Sequence, residues 1–278
     1  MPSVSPSAGS TGARWGLRIV ALGYLGVLLA APLFMVFYRT FEEGFGTFWE
    51  AVTTPAAIHA LQMTLLIAAI AVPLNAVFGV MAALLLVRRT MPGKPLISAL
   101  IDLPLALSPV VVGLSLLLVW GQDGWLYDPA EALGVQVVFA LPAMILATIF
   151  VSLPFVVREV VPVLREIGTD QEEAAATLGA SGFQTFWSIT LPAIRWGLIY
   201  GVILTTARSI GEYGAVAVVS GKIAGKTETL TLHVEERYLA FDTVAAYGSS
   251  VVLALIALFT VLLMNILNRK VPDGHHGH

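Results

Sequence analysis

The chain has 278 residues, of which 57% are hydrophobic and 12% charged, with a formal net charge of −3 and no cysteine. A soluble domain of this size cannot cover so much apolar surface with so few charges, so the composition is that of a polytopic membrane protein. The slightly acidic balance argues against a nucleic-acid binder, which needs a basic face, and the absence of cysteine excludes disulfides, thiolate metal sites and thiol nucleophiles.

Residues 1–13, rich in Ser, Pro and Gly, read as a disordered cytosolic tail. Arg14 and Arg18 lead into an apolar run from Leu17 to Phe37. That run exceeds the roughly 7–15-residue core of a signal peptide, so it is read as an uncleaved first helix, with its outer loop completing residues 14–56. Spanning about 30 Å of hydrocarbon takes about 20 helical residues. Five further segments pass that test: Ala57 to Val87, Leu96 to Trp120, Val135 to Val157, Trp196 to Val219 and Ala245 to Leu267. The predicted fold class is an all-α membrane protein with six transmembrane helices. The second helix, about 46 Å long at 1.5 Å per residue, must tilt or project, and Pro73 is expected to kink it.

Lys and Arg placement sets the orientation. One side collects Arg14, Arg18, Arg88, Arg89, Lys94, Arg158, Arg165, Arg195, Arg269 and Lys270; the other has Arg39, Lys222, Lys226 and Arg237. Both termini are therefore expected in the cytoplasm. The loop "GQDGWLYDPAEALG" carries acids and no base, which suits the outer face. The last residues, 268–278, read as a mobile tail; "GHHGH" has no further fixed ligand upstream to build a metal site. His59 and His233 read as surface residues without a chemical role.

From Arg158 to Arg195 the chain stays on the cytoplasmic side, far longer than a connection in a helix bundle requires. Asp170 is a candidate N-cap, and Glu172 and Glu173 fall in the first turn, where the helix dipole favours acids. Gly179 and Gly182 interrupt the helix and permit a sharp turn. Phe183, Phe186 and Trp187 then form one apolar stripe on a short helix expected to end before Pro192. Such a helix also suits the headgroup layer of a membrane.

The spacing of Glu173-Ala174-Ala175, Gly179 and Ile189-x-Leu191-Pro192 resembles, position for position, the EAA signature of ABC importer permeases. The resemblance implies a type I importer (MetI-like) permease fold over residues 57–267. It also implies that the insert folds as two angled helices that dock on a separate ATPase. Glu173 would approach a basic residue of that ATPase, Gly179 would allow the bend, and Phe183, Phe186 and Trp187 would seat the plug. Within this family the stretches "DLPLALSPVVVGLSLLL" from Asp102, "ARSIGEYGAVAVVSG" from Ala207 and "KTETLTLHVEERYLAFDTVAAY" from Lys226 look most like a sulfate/thiosulfate permease subunit. Molybdate permeases share the Gly-Glu-aromatic-Gly element, so another oxyanion remains an alternative cargo. By the same resemblance the partners are an ABC ATPase dimer, a second and different permease subunit, and an external sulfate-binding protein, in a cell inner membrane. No cofactor is expected in this chain; ATP and Mg would be held by the ATPase.

Arg208 and Glu212 lie four residues apart in the fifth segment, where a charge is costly unless it faces the bundle interior, a cavity or a partner. Two readings stand: an ion pair that fixes packing, or a lining of the translocation path in which the Arg208 fork suits a tetrahedral dianion. Ser209 and Gly211 would join that path. Ser108 and Pro109 break the third segment, as a packing kink or a gate hinge. No P-loop occurs, so the chain does not hydrolyse ATP by that route; no H-E-x-x-H or paired intramembrane carboxylate suggests an enzyme. A passive channel or secondary carrier would explain the buried charges but leaves the cytoplasmic insert without a purpose.

Overall fold

The computed structural model describes residues 11–268, all of whose regular elements are helices. The first ten residues and the last ten, with "GHHGH", lie outside the described residues. In a bilayer every backbone polar group must be satisfied within the chain, and a bundle of long helices does this locally. α1 (Thr11–Leu25) begins three residues inside the stretch expected to be a tail and continues through a π-turn at Gly26–Ala30 into α2 (Ala31–Phe41). α3 (Phe45–Val52) follows the first span, and α4 (Pro55–Arg88) carries Pro73 inside 34 continuous helical residues.

The third span departs from expectation. It is α5 (Lys94–Ala106) followed by α6 (Pro109–Trp120), and their axes meet at 113°. The 13 and 12 residues of the two pieces give about 20 and 18 Å at 1.5 Å per residue, so neither crosses the bilayer alone. The cause is local. Leu107 and Ser108 are extended, with ψ of 144° and 134°, because Pro109 denies its predecessor the helical region and has no N–H to continue the ladder.

After α7 (Tyr127–Ala132), the fourth span, α8 (Leu141–Ile167), starts six residues later than predicted and runs ten further. Its last turns therefore take up the beginning of the supposed insert. α9 (Asp170–Thr177), α10 (Gly182–Thr185) and a π-turn at Phe186–Thr190 lead into α11 (Leu191–Ile210). The fifth helix ends at Ile210, well before the predicted Val219. The chain reverses and forms α12 (Gly214–Val219), then α13 (Leu230–Leu239) and the last span, α14 (Thr243–Asn268). Five helices are long and apolar enough to cross a membrane, and the bent α5–α6 pair makes up to six spans.

The centre of the bundle is α8, packed between α4 and α11. Lipid tails are as apolar as leucine, so helices in a membrane associate by close packing rather than by a hydrophobic drive. Gly79 of α4 sits against Val156 of α8, where an added Cβ would lie 2.6 Å from the Val156 side chain. Gly197 and Gly201, one turn apart on α11, meet the α8 backbone: a Cβ there would lie 2.9 Å from Glu159 O and 2.8 Å from Val156 Cα. Asn75 of α4 donates to Ser152 Oγ of α8 at 2.8 Å, inside the same seam. Two apolar cores flank it, one around Met144, Ala147 and Val216, the other around Val160, Leu164 and Ile194.

His233 is not a surface residue. It is 1% exposed on α13, with Nδ1 3.1 Å from Glu228 Oε1. Burial pushes the Glu228 carboxyl up, but hydrogen bonds to His233 and Glu236 and the charge of Arg237 outweigh it and hold the group below its ordinary value. His59, on α4, is half-buried.

The glycine seam gives a direct prediction. Gly201→Val forces a side chain into backbone that cannot move aside, and should cost about 1–3 kcal/mol or prevent packing altogether. Gly46→Ala, where nothing lies within 4 Å of the added atom, should leave the thermal midpoint of the detergent-solubilised protein unchanged. Equal midpoints for both variants would contradict the close approach of α8 and α11.

Candidate coupling loop and translocation path

The insert is built as two helices, α9 and α10, joined by a turn at Gly179 and each closed by local chemistry. Asp170 is the first residue of α9 rather than its cap; Thr169 precedes it and its hydroxyl donates to Glu173 Oε1 at 2.6 Å. Asp170, Glu172 and Glu173 all fall in the first turn, against the positive end of the helix dipole. At the other end the Gly179 N–H bonds to Ala176 O and the Ala180 N–H to Ala175 O, both at 3.0 Å, with Gly179 at φ +88°. This is a Schellman closure, which calls for a left-handed residue, and glycine adopts it without a Cβ penalty. Ser181 then caps α10 in a reciprocal box: its hydroxyl accepts from Gln184 N at 3.3 Å, and Gln184 Oε1 accepts from Ser181 N at 2.8 Å.

The second helix does not stop before Pro192. The chain is helical from Gly182 to Ile210. The widened turn at Phe186–Thr190, in which the Leu191 N–H reaches Phe186 O, lies just before Pro192. A proline in a helix lacks one donor and crowds the carbonyl four residues back, and the wide turn accommodates both. Ile189 and Leu191 are half-buried at this junction, and Phe186 and Leu191 pack on the Val160–Leu164–Ile194 core.

Two residues that sequence reasoning passes over hold the insert to the bundle. Arg88, the last residue of α4, donates to Leu164 O at 3.0 Å, to Gly168 O at 2.7 Å and to Glu172 Oε1 at 3.2 Å, while its Nε lies 3.0 Å from Glu172 Oε2. Thr190, 4% exposed, donates to the same Glu172 Oε1 at 2.9 Å. One carboxylate thus joins the end of α4, the end of α8, α9 and the start of α11. The sequence marks Arg88 only for orientation and Glu172 only as a dipole partner. The one available signal is that Glu172 directly precedes the Glu173-Ala174-Ala175 run.

With Glu172 turned inward, Glu173 and Ala174 face solvent, and Ala175 is half-buried. Leu178 is 89% exposed, Phe183 73% and Trp187 54%, so three large apolar side chains project from a polar end of the molecule. Phe183 and Phe186 each pack edge-on against Trp187, with ring centroids 6.0 and 5.6 Å away, which fixes the stripe as a stiff aromatic ridge. Gly182 has open space around it and an ordinary φ.

The path candidates are arranged differently from expectation. Arg208 lies in the last turn of α11, not at mid-helix, and its Nη1 is 2.6 Å from Glu212 Oε2. The Glu212 side chain is 2% exposed and that of Arg208 31%. Glu212 Oε1 also accepts the Ala215 N–H at 2.9 Å, satisfying an orphan donor at the start of α12, and its carbonyl accepts from Thr231 at 2.9 Å. Glu212 is therefore the fixed member of the pair and Arg208 the accessible one. Ser209 is 5% exposed and turns toward Ser152 inside the bundle, at 3.5 Å, while Gly211 closes the α11 C-terminus. Ser108 is exposed at the α5–α6 break, and Pro109 lies against Gly214, where an added Cβ would be 2.9 Å away. The break and α12 thus form one packed unit beside the Arg208–Glu212 pair.

Arg88→Ala should release the insert while sparing the bundle. We expect amide exchange across residues 169–180 to quicken by about tenfold or more, the scale of one charge-assisted hydrogen bond lost, with α8 between Ala143 and Val156 unaffected. Unchanged exchange in the insert would show that Arg88 does not hold it.

Among characterised proteins the chain is 51% identical to the sulfate transport system permease protein CysW of Synechocystis, covering 95% of both chains. It is 41% identical to the CysW protein of Escherichia coli K12, over 95% of this chain and 94% of that one. Among solved structures, a bacterial ABC transporter involved in the import of the acidic polysaccharide alginate superposes with a TM-score of 0.78 at 16% identity, covering 94% of this chain and 96% of that one, a likeness of fold alone. The model of binding-protein-dependent transport system inner membrane components matches residues 75–272, and with these identities the chain belongs to that family of ABC importer permeases.

Proposed function

We propose that this chain is one membrane subunit of an ATP-driven importer that carries sulfate or thiosulfate inward, coupled to a separate ATPase through residues 168–192. The observation that carries the reading is the latched insert, which is held rigidly to three spans and yet presents Glu173, Leu178, Phe183 and Trp187 to solvent. A passive channel has no use for such a plug. The sulfate assignment rests on the relatives named above. Molybdate, also a tetrahedral dianion, is the alternative cargo.

In this reading the partners are an ATPase dimer that binds ATP and Mg, a second permease subunit of the CysT kind, and an external sulfate-binding protein. Both termini face the cytoplasm. ATPase movement at the plug reaches α8 and α11 directly, because Glu172 joins those helices to α9 through Arg88 and Thr190. Arg208 lies in the last turn of α11, so displacement of the plug moves this partly exposed guanidinium beside the α5–α6 break. A fork held at 2.6 Å by Glu212 offers an anion a contact already half neutralised. That favours passage over trapping.

Glu173→Lys and Gly179→Val test the plug. The first reverses its exposed charge, and the second places a β-branched residue at φ +88°, costing about 1 kcal/mol or more of the turn. Both variants should insert normally but lose the ATPase on purification or lose stimulation of hydrolysis by the loaded binding protein. Normal assembly and stimulation in both would remove the plug from the account.

Arg208→Gln with Glu212→Gln tests the path. The amide oxygen that replaces the Glu212 carboxylate still accepts from the Ala215 N–H, so the double variant removes charge without removing the α12 cap. We expect assembled complex and ATP hydrolysis with uptake reduced by about tenfold or more, the scale of one charge-assisted contact to the passing ion. Wild-type uptake per ATP would assign the pair to packing.

A further inference from the structure

We propose that the cleft between α5 and α8 is a binding site for a tetrahedral oxyanion, supplied either by a phospholipid headgroup or by the free inorganic ion. The cleft has a volume of about 450 Å³ and is lined by Lys94, Ser98 and Asp102 from α5 and by Arg158, Val161 and Arg165 from α8, among others. The side chains are placed by helical spacing. Lys94, Ser98 and Asp102 recur every four residues along one face of α5, and Arg158, Val161 and Arg165 follow the three-and-four pattern along one face of α8. Three cations thus share one groove with a single carboxylate.

The details fit anion recognition better than structural pairing. Arg158 meets Asp102 side-on, Nε to Oδ1 at 3.0 Å, and among the described residues its two terminal nitrogens have no hydrogen-bond partner. Asp102 therefore orients the guanidinium and leaves its fork open, the arrangement that engages two oxygens of a phosphate or sulfate at once. Both side chains of the pair are largely exposed, 58% for Arg158 and 42% for Asp102, so the pair contributes little to holding α5 on α8. Lys94 and Arg165 have no ion pair among the described residues, and Ser98, one turn along α5 from Lys94, adds a hydroxyl to the lining. Basic residues lining a cleft between membrane helices are also the pattern by which anionic headgroups are held.

The free-ion source rests on the proposed import of an oxyanion, for which this cleft would be a point of release; the lipid source does not. Binding is therefore measured apart from transport, on the assembled complex in neutral detergent. Phosphatidylglycerol binding is followed by native mass spectrometry with diacylglycerol as the control lacking a headgroup, and radiolabelled sulfate by equilibrium dialysis. Two paired variants, Lys94→Gln with Arg165→Gln and Asp102→Asn with Arg158→Gln, remove charge from exposed positions and leave the helix seams intact. The site should lose affinity by about tenfold or more in each variant. Phosphatidylglycerol binding lost in the variants and not displaced by sulfate supports the site with the headgroup as its source. Saturable sulfate binding lost in the variants supports it with the free ion. Affinity for both probes unchanged by the variants, no saturable binding of either, or phosphatidylglycerol held no better than diacylglycerol together with no saturable sulfate binding overturns the proposal. Uptake of sulfate by the same wild-type preparation, present or absent, decides the importer reading separately.

Discussion

One guanidinium sets the geometry of the end of the bundle where α4 and α8 finish. Arg88 closes a helix of 34 residues and directs its donors to two carbonyls at the end of α8 and to the carboxylate of Glu172. The Leu164 carbonyl is among the last four of α8, which a helix C-terminus leaves without a partner, and Gly168 is its C-cap, so the contact satisfies a requirement of α8 while it fixes α9. The arginine and glutamate side chains are 14% and 21% exposed, and a charge-assisted pair so shielded resists salt and thermal loosening better than a surface pair does. Thr190 adds α11 to the same carboxylate. A loop of this length would otherwise be a mobile tether, unable to transmit force.

At the opposite end of α11 the governing constraint is that backbone groups within lipid need partners inside the chain. Two interruptions meet it in different ways. At Ser108–Pro109 the proline removes a donor as well as breaking the helix, so fewer groups are left unpaired. At Gly211–Tyr213 the Glu212 carboxylate supplies the missing acceptor for α12 and takes Arg208 as its counter-ion. The two interruptions pack against each other through Gly214 and Pro109 and through Gly113, where a Cβ would lie 2.8 Å from Ala215 O.

Long apolar runs were legible because about 20 residues of hydrophobicity is a strong local signal, and the runs correspond to the spans seen. Interruptions inside those runs were less legible. Residues 211–219 are apolar enough to continue a helix, and nothing local says that Glu212 folds back to cap Ala215. Ser108–Pro109 was visible as a break, but the size of the bend, 113°, was not. The turn at Gly179 was legible, since a left-handed closure favours glycine; the EAA spacing marked the stretch around it. It could not reveal that the second helix runs through Pro192, which depends on the wide turn before it. Least visible were the latch and the His233–Glu228 contact. Arg88 and Glu172 are 84 positions apart, and pairing at that distance leaves no mark on local periodicity. His233 sits in a polar stretch that reads as surface until Glu228 is brought beneath it.

The central claim is that the plug drives the membrane helices through Glu172. The most direct measurement is the number of sulfate ions moved per ATP hydrolysed in proteoliposomes holding the complete complex with Glu172→Gln. The amide keeps the size of the side chain and an acceptor for Thr190 but removes the charge that Arg88 grips. The account predicts that hydrolysis continues while sulfate moved per ATP falls several-fold, because the plug still docks but no longer moves α8 and α11 as a unit. A ratio equal to that of the unmodified complex would contradict it.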